Sequence, residues 1–388
     1  MAWALTMDRM NTVEKGAGRQ DLIVVGAGIL GLATAYRAHK QGMKVLVIER
    51  HSRPVGASIM NFGHACFTGQ ADIIQPVAAQ AREGWAAAAQ DAGFWAAQPG
   101  TLIPAVTELE MQVLREFAEH RGEEQVQLLD AQQVKEALGH ERLEVVGGAR
   151  LPLDMRVNPR EAAWKLAEWL EQQGVQFQWL TNVTAVADGT VCTTRGEFSA
   201  PQVVVCPGVE LMSLFPGLAE DVDLKVCTLA MALVRKPTHT ANDFCMLTGT
   251  SIARYDGLTS MPSAVALKEE LVQREPELVD CIANLMVTAI PEGLLIGDSH
   301  EYHDSPTPFI DEQMAALLQN RAAAYVGVEK FDVLQRWQGR YANSVHTNLV
   351  LRRPDEKTTV AVVASGIGMT LSFGIASLIL EGGEVPGF

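Results

Sequence analysis

Short apolar runs and longer periodic stretches alternate along the chain, and each kind predicts its own element. Leu22 to Val25 is apolar throughout and predicts a strand. Ala33 to His39 has helical spacing and is closed by Gly42, and Lys44 to Ile48 predicts a second strand. Residues 76 to 121 are alanine-rich with apolar positions at helical spacing and predict helix, as does the shorter stretch Asp130 to Leu138. Asp154 to Gln173 predicts a helix after Pro159, a residue suited to a first helical turn, and Gly174 ends it. Strands are predicted at Val175 to Leu180, Val183 to Ala187, Val191 to Thr194 and Val203 to Cys206, with a hairpin at Asp188-Gly189. Residues 223 to 300 alternate apolar runs with loops and predict an antiparallel sheet. A helix over Pro308 to Tyr325 and a strand over Val333 to Tyr341 follow. The stretch Thr359 to Leu380 has no charge over 22 residues, the length of a membrane span. Gly366, Gly368 and Gly374 interrupt it, so it predicts a buried strand, Val360 to Ala364, and a helix, Met369 to Leu380.

The first predicted strand runs into Gly26, Gly28 and Gly31, which have GxGxxG spacing around Ile29 and Leu30. Gly26 permits the tight turn, Gly28 a close approach of backbone to a pyrophosphate, and Gly31 close packing of helix on sheet. The helix N-terminus offers free N–H groups and the positive end of a dipole to phosphates. Glu49 ends the second strand, 18 residues beyond Gly31, where a carboxylate holds a ribose hydroxyl. An acid there favours FAD or NAD over NADP. The loop from Arg50 to Gln70 is too long for a simple connection, and long loops in compact domains are often functional.

Composition narrows the partners. At 388 residues the chain is long enough for more than one core. A net charge of -15 argues against nucleic acid or an anionic membrane as partner, although a local arginine cluster can still hold an anionic small molecule. The six cysteines form no CxxC pair, so no metal site is expected and the thiols fit a reducing cytoplasm. Residues 1–20 contain Asp8, Arg9, Glu14, Lys15 and Arg19 without an apolar core. They predict a tail and no signal peptide, and Met7 and Met10 are alternative starts.

Several segments together resemble the D-amino-acid oxidase superfamily of FAD enzymes, which includes glycine oxidase, sarcosine oxidase and D-amino-acid dehydrogenase. They are GAGILG, GASIMNFG, PREAAWKLAEWLEQQGV, VVVCPG, RWQGRY and SGIGMTLSFG, and the resemblance spans about residues 20 to 380. NFGHACFTGQ and IGDSHEY are closer still to an uncharacterised branch often found with phosphonate-degradation genes. The resemblance implies an α/β fold. A discontinuous Rossmann-like FAD-binding domain (21–75, 146–210 and 335–388) would carry an inserted substrate domain built on a mixed or antiparallel sheet (76–145 and 211–334).

On the same resemblance, Gly26, Gly28, Ile29, Leu30 and Gly31 hold the pyrophosphate, Glu49 the adenosine ribose, and Val183 lies near the adenine. Arg50, Ser58, Asn61 and Gly63 line the flavin side, Gly208 is a further cofactor-binding position, and His64 is placed with the cofactor or facing the substrate, with capping of a loop as the alternative. Gly366, Ile367, Gly368, Met369 and Thr370 face the isoalloxazine, where a helix N-terminus stabilises the charge of reduced flavin. His64 does not fall where relatives carry a flavin-linked His, so FAD is expected to be non-covalent. Gly293-Leu294-Leu295-Ile296-Gly297 places Leu295 where sarcosine-oxidase-like members carry an oxygen-activating Lys, which leaves oxygen or another carrier open as acceptor.

The implied reaction is oxidation of a C–N bond in a small amine, amino acid or aminophosphonate, by hydride transfer to flavin N5 and hydrolysis of the imine. Arg340 is the first candidate for the substrate's anionic end. Tyr341, His300, Tyr302 and His64 are further candidates, with His346 as a neighbour. The alternatives are a non-catalytic FAD-binding subunit of an oxidoreductase complex and a reductase using a pyridine nucleotide.

Overall fold

The computed structural model describes residues 19–385 and 387–388, so the expected N-terminal tail lies outside the described residues apart from Arg19 and Gln20. Leu22–Val25 is an inner strand of a six-stranded sheet. The order is Leu349–Arg352, Thr358–Val363, Gln202–Val205, Leu22–Val25, Val45–Ile48 and Gln176–Gln178. Only the first pair is antiparallel. All four residues of Leu22–Val25 are buried, as an apolar run covered on both faces requires. The helix Ile29–Lys40 starts earlier than the expected Ala33. Gly31 has no side chain, so the first helical turn lies directly against the Gly26 carbonyl, where a Cβ would collide. The expected hairpin forms, with Asp188 and Gly189 at φ of 51° and 77° in a three-stranded antiparallel sheet.

A second, nine-stranded sheet includes Thr101–Ala105, Gly147–Leu151, Lys225–Val234, Met286–Ile290 and Gly293–Gly297, and Val333–Asn343 pairs along the whole length of Lys225–Val234. Two expectations are corrected here. Residues 76 to 121 are not all helical. The helices Gln75–Ala92 and Glu108–Arg121 flank the strand Thr101–Ala105, set off by Gly93 and Gly100 in positive φ. Residues 223 to 300 are not all sheet. Between Cys245–Leu247 and Met286–Ile290 stand four helices, Gly249–Ile252, Asp256–Thr259, Ala264–Arg274 and Pro276–Asp280. Ala264, Leu267 and Leu271 give the third of these a buried face at helical spacing.

The uncharged stretch near the end of the chain divides as expected, into the strand Thr358–Val363 and the helix Gly368–Leu380. Among the described residues no helix is long and apolar enough to cross a membrane. The terminal helix packs on both Ile29–Lys40 and Gln75–Ala92. Contact with the latter is glycine-dependent on both sides. A Cβ on Gly374 would meet the Val77 carbonyl, and one on Gly84 would meet Phe373. Trp85 Nε1 donates to the Met369 carbonyl at 2.9 Å and fixes the register of the pair.

Gly374→Ala should therefore lower stability by about 1–3 kcal/mol, the usual cost of overpacking a core. Gly217→Ala, whose Cβ would meet nothing within 4 Å, should be neutral or stabilise by up to about 1 kcal/mol. Equilibrium urea unfolding of both variants checks the contrast.

Candidate active site

The parallel strands of the first sheet end at one cleft of about 1090 Å³, lined by Val25, Ile48, Cys206 and Val363 among others. The carboxyl ends of strands at a point where strand order reverses are where open α/β sheets bind ligands. At the near end, Gly26 turns with φ of 98°, and a Cβ there would lie 2.6 Å from the Cys206 carbonyl oxygen. Gly28 is the N-cap of the following helix and supplies no side-chain cap. Ile29 N–H donates to Ser58 Oγ at 2.8 Å, and all three residues line the cleft. Glu49 also lines it. Its carboxylate is held in place by the Ala27 N–H (2.8 Å) and the His51 N–H (2.9 Å). Arg50, paired with Glu210 at 2.9 Å, lines the cleft together with Val183 and Gly208.

Asn61 closes the loop that carries Ser58. Its Nδ2 donates to the Ala57 carbonyl at 2.8 Å, and its Oδ1 accepts the Gly63 N–H at 2.7 Å. Asn61 lines the cleft, whereas Leu30, Gly31 and Gly63 do not. Leu30 packs on the core, Gly31 on the Gly26 carbonyl, and Gly63, at φ of 64°, on the Val157 carbonyl. These three shape the turns whose neighbours line the cleft.

Farther along, Gly366, Ile367, Gly368, Met369 and Thr370 bring a second helix N-terminus to the same cleft, again without a side-chain cap. Neither N-cap residue bonds its own helix, and although Ser58 takes the Ile29 N–H, the two N-termini still bring backbone N–H groups and two positive dipole ends to one space. With glycines that let the backbone approach and a carboxylate at the end of the second strand, the residues fit an extended dinucleotide carrying negative charge at both of those places.

Arg340, Tyr341, His300 and Tyr302 line the same cleft, so the structure brings together the residues expected at the substrate end. His346 is exposed and lies outside the lining. The rings of His300 and Tyr341 are 6.3 Å apart, and His300 Nδ1 donates to the Ile282 carbonyl at 2.9 Å. Burial, reinforced by the charge of Arg254, pushes His300 down to about 3 and keeps it neutral. Arg340 is half-buried, with Nε on Gln338 Oε1 (2.8 Å) and Nη2 on the Thr307 carbonyl (3.3 Å).

Among the lining residues that the sequence reading missed, Arg254 and Asp298 matter most for the chemistry. Arg254 follows the helix Gly249–Ile252, inside the region expected to be sheet, and its guanidinium has no hydrogen-bond or ion-pair partner among the described residues. Asp298 sits inside the IGDSHEY segment but was given no role. It is buried, its Oδ1 has no partner, and burial pushes it up to about 7 against the pull of Arg254. An acid two residues before the candidate His300 was the available signal for it. No comparable signal marked Arg254.

His64 reaches the cleft from behind. Its Nε2 lies 2.7 Å from Thr101 Oγ1 and 3.7 Å from Asp154 Oδ2. Burial alone pulls His64 down, but Cys245 and Asp154 outweigh it and raise His64 to about 9. Cys245 is correspondingly drawn to about 7 by Arg156 and His64 despite its burial. One potential metal-ligating atom from each of His64, Cys66 and Asp154 lies within 4.8 Å of the others, a cluster that no CxxC spacing announces.

The family model described as FAD dependent oxidoreductase matches residues 21–381. No curated protein sequence matches significantly. Among solved structures, the chain is similar to glycine oxidase from Bacillus cereus at 16% identity and a TM-score of 0.75, over 94% of this chain and 96% of that one. Glycine oxidase from Geobacillus kaustophilus has 20% identity and a TM-score of 0.73, over 95% and 96%. L-amino acid deaminase from Proteus vulgaris has 15% identity and a TM-score of 0.75, over 96% of both chains. At these identities the likeness concerns the fold.

The neutral state of His300 has a stability signature. Below its ordinary value of 6.5 the unfolded chain takes up a proton that the folded chain refuses down to about 3, so stability present above pH 6.5 is lost as pH falls through that window. The slope is roughly 1 kcal/mol per pH unit. His300→Asn, which keeps a donor for the Ile282 carbonyl, should flatten the loss between pH 6.5 and 4.5, as measured by urea midpoints at the two values.

Proposed function

Because this chain belongs to the FAD-dependent oxidoreductase family, we propose that it oxidises a C–N bond in a small amine that also carries an anionic group, an amino acid or an aminophosphonate. One observation carries the reading: a single cleft joins the glycine turn, the second helix N-terminus and a cluster of arginine, aspartate, histidine and tyrosine side chains. Gly26, Gly28 and Ile29 would hold the pyrophosphate, Glu49 the ribose, and the turn from Gly366 to Thr370 the electron-rich edge of the ring. When bound, FAD supplies a hydride acceptor at that ring.

The chain's own contribution is orientation and charge. Arg340 and Arg254 would hold the anionic end of the substrate, and two guanidinium groups suit a doubly charged phosphonate better than a carboxylate. Tyr341, Tyr302 and neutral His300 would frame the reacting carbon and limit the water around it. Leu295, fully buried in Gly293–Gly297, supplies no charge at the position where an oxygen-activating Lys is expected, which favours an electron carrier over oxygen as acceptor.

The test is anaerobic mixing of the yellow protein with glycine, N-methylglycine, D- and L-alanine and 2-aminoethylphosphonate, followed by flavin absorbance. Bleaching by one of them is the expected outcome. A tightly held flavin that no amine bleaches would identify a non-catalytic subunit, and bleaching by NADH alone a pyridine-nucleotide reductase.

Gly28→Val should fold but lose FAD. A Cβ there would already lie 3.3 Å from Ser58 Oγ, and two further methyl groups would enter the phosphate site. Normal flavin content in the folded variant would refute the assignment of the phosphate site.

A further inference from the structure

Arg254 and Asp298 line one cleft, and although the Arg254 charge acts on Asp298 through space, neither the guanidinium nor Asp298 Oδ1 has a hydrogen-bond partner among the described residues. A buried carboxylate oxygen without a donor is costly, and such atoms in native folds normally have a purpose. The backbone holds Asp298 firmly, through reciprocal hydrogen bonds with Asn284 of 3.2 and 3.0 Å. The side chain is therefore held unpaired by a well-anchored strand end.

We infer that Arg254 and Asp298 form a two-ended receptor for a zwitterion, in which Arg254 meets the anionic group of the substrate and Asp298 Oδ1 meets its ammonium. The inference rests on the amine oxidation proposed above and names the substrate class and the proton acceptor of that site. One ammonium N–H proton passes to Asp298 Oδ1, and its electron pair stays on nitrogen. The carbon can then lose hydride from a neutral amine, the form from which that loss is feasible. The hydride acceptor is that of the proposed reaction, so no further oxidant is needed.

The surroundings of Asp298 suit this role. The titratable groups facing it are Cys227 from Lys225–Val234, Tyr341 from Val333–Asn343, Tyr255, Cys281, His300 and Arg254. Burial pushes Cys227 up to about 12, Tyr255 and Tyr341 well above their ordinary value, and Cys281 upward, while His300 is pushed down to about 3. Near pH 7 all five are neutral, and Arg254 alone is charged. His300 Nε2 is 4.0 Å from Asp298 Oδ2, and a neutral imidazole there cannot take the place of an ammonium. Asp298 itself is poised near 7, able to hold or release a proton at working pH.

The test uses the FAD-loaded protein and ligands that have no hydrogen on the amine-bearing carbon and so cannot be oxidised. They are 2-aminoisobutyrate and (2-aminopropan-2-yl)phosphonate, with isobutyrate as the amine-free control. Calorimetry in buffers of different ionisation enthalpy gives the affinity and the protons exchanged. The wild type should bind one of the zwitterions and release close to one proton at about pH 6 but almost none at about pH 8, since Asp298 ionises in between.

Asp298→Asn should bind that zwitterion roughly 10- to 100-fold more weakly and release no proton at either pH, while binding isobutyrate at least as well as wild type. Arg254→Met should weaken the zwitterion and isobutyrate alike. The flavin absorbance spectrum confirms that each variant is folded. Unchanged affinity and proton release in Asp298→Asn would overturn the inference, as would failure of the wild type to bind either zwitterion. Neither result touches the amine oxidation itself, which stands or falls on flavin bleaching.

Discussion

The terminal helix, which also packs on Ile29–Lys40, lies flat on Gln75–Ala92 because Gly84 and Gly374 have no side chains at their contact with Phe373 and the Val77 carbonyl. Much of the site depends on that approach. Interiors pack at crystal-like density and have no slack to absorb an added methyl group by small adjustments. The close contact sets where the N-terminus at Gly368 emerges relative to the one at Gly28. Trp85, bonded to the Met369 carbonyl, locks the position. Without this contact the two dipole ends would not open onto one cleft, and the chain would have a phosphate turn and a ring-binding turn with no common ligand.

Within the cleft, burial sorts the ionisable groups by what they can do. His300 is kept neutral, Asp298 is brought close to neutrality, and the tyrosines and cysteines around them stay protonated. The guanidinium of Arg254 sets the sign of the local field. Farther back, Cys245 and His64 move in opposite directions because each stabilises the charge of the other. A chain with an overall charge of -15 thus keeps positive potential at two helix ends and two arginines where an anion must sit.

Parts of the molecule governed by local rules were legible in the sequence. Gly26, Gly28, Gly31 and Glu49 carry their meaning in spacing alone, and the strand, turn, helix and strand they predict are all present. The Asp188-Gly189 hairpin and the division of the uncharged terminal stretch are of the same kind. Long-range geometry was less legible. Thr101–Ala105 hides in an alanine-rich helical context, although Pro99 and Gly100 mark its start. The helical insert after Leu247 was hidden by the short apolar runs on either side, and with it went Arg254, whose place opposite Asp298 depends on how that insert folds back. Ala264, Leu267 and Leu271 carried a helical period that a window starting at Ser263 would have detected.

The six-stranded sheet takes its middle strands from the beginning, the centre and the end of the chain: Leu22–Val25 pairs with Gln202–Val205, which pairs with Thr358–Val363. This order has a consequence for synthesis. A ribosome delivers the glycine turn first and the second helix N-terminus more than three hundred residues later. Until then the outer edge of Gln202–Val205 lacks its neighbour, and the cleft lacks the lining from Val363 to Thr370 with its helix N-terminus. The growing chain can offer a dinucleotide one end of a berth but not the other. Cofactor capture is therefore an event of the finished polypeptide, and the last described strand and helix act as the clasp.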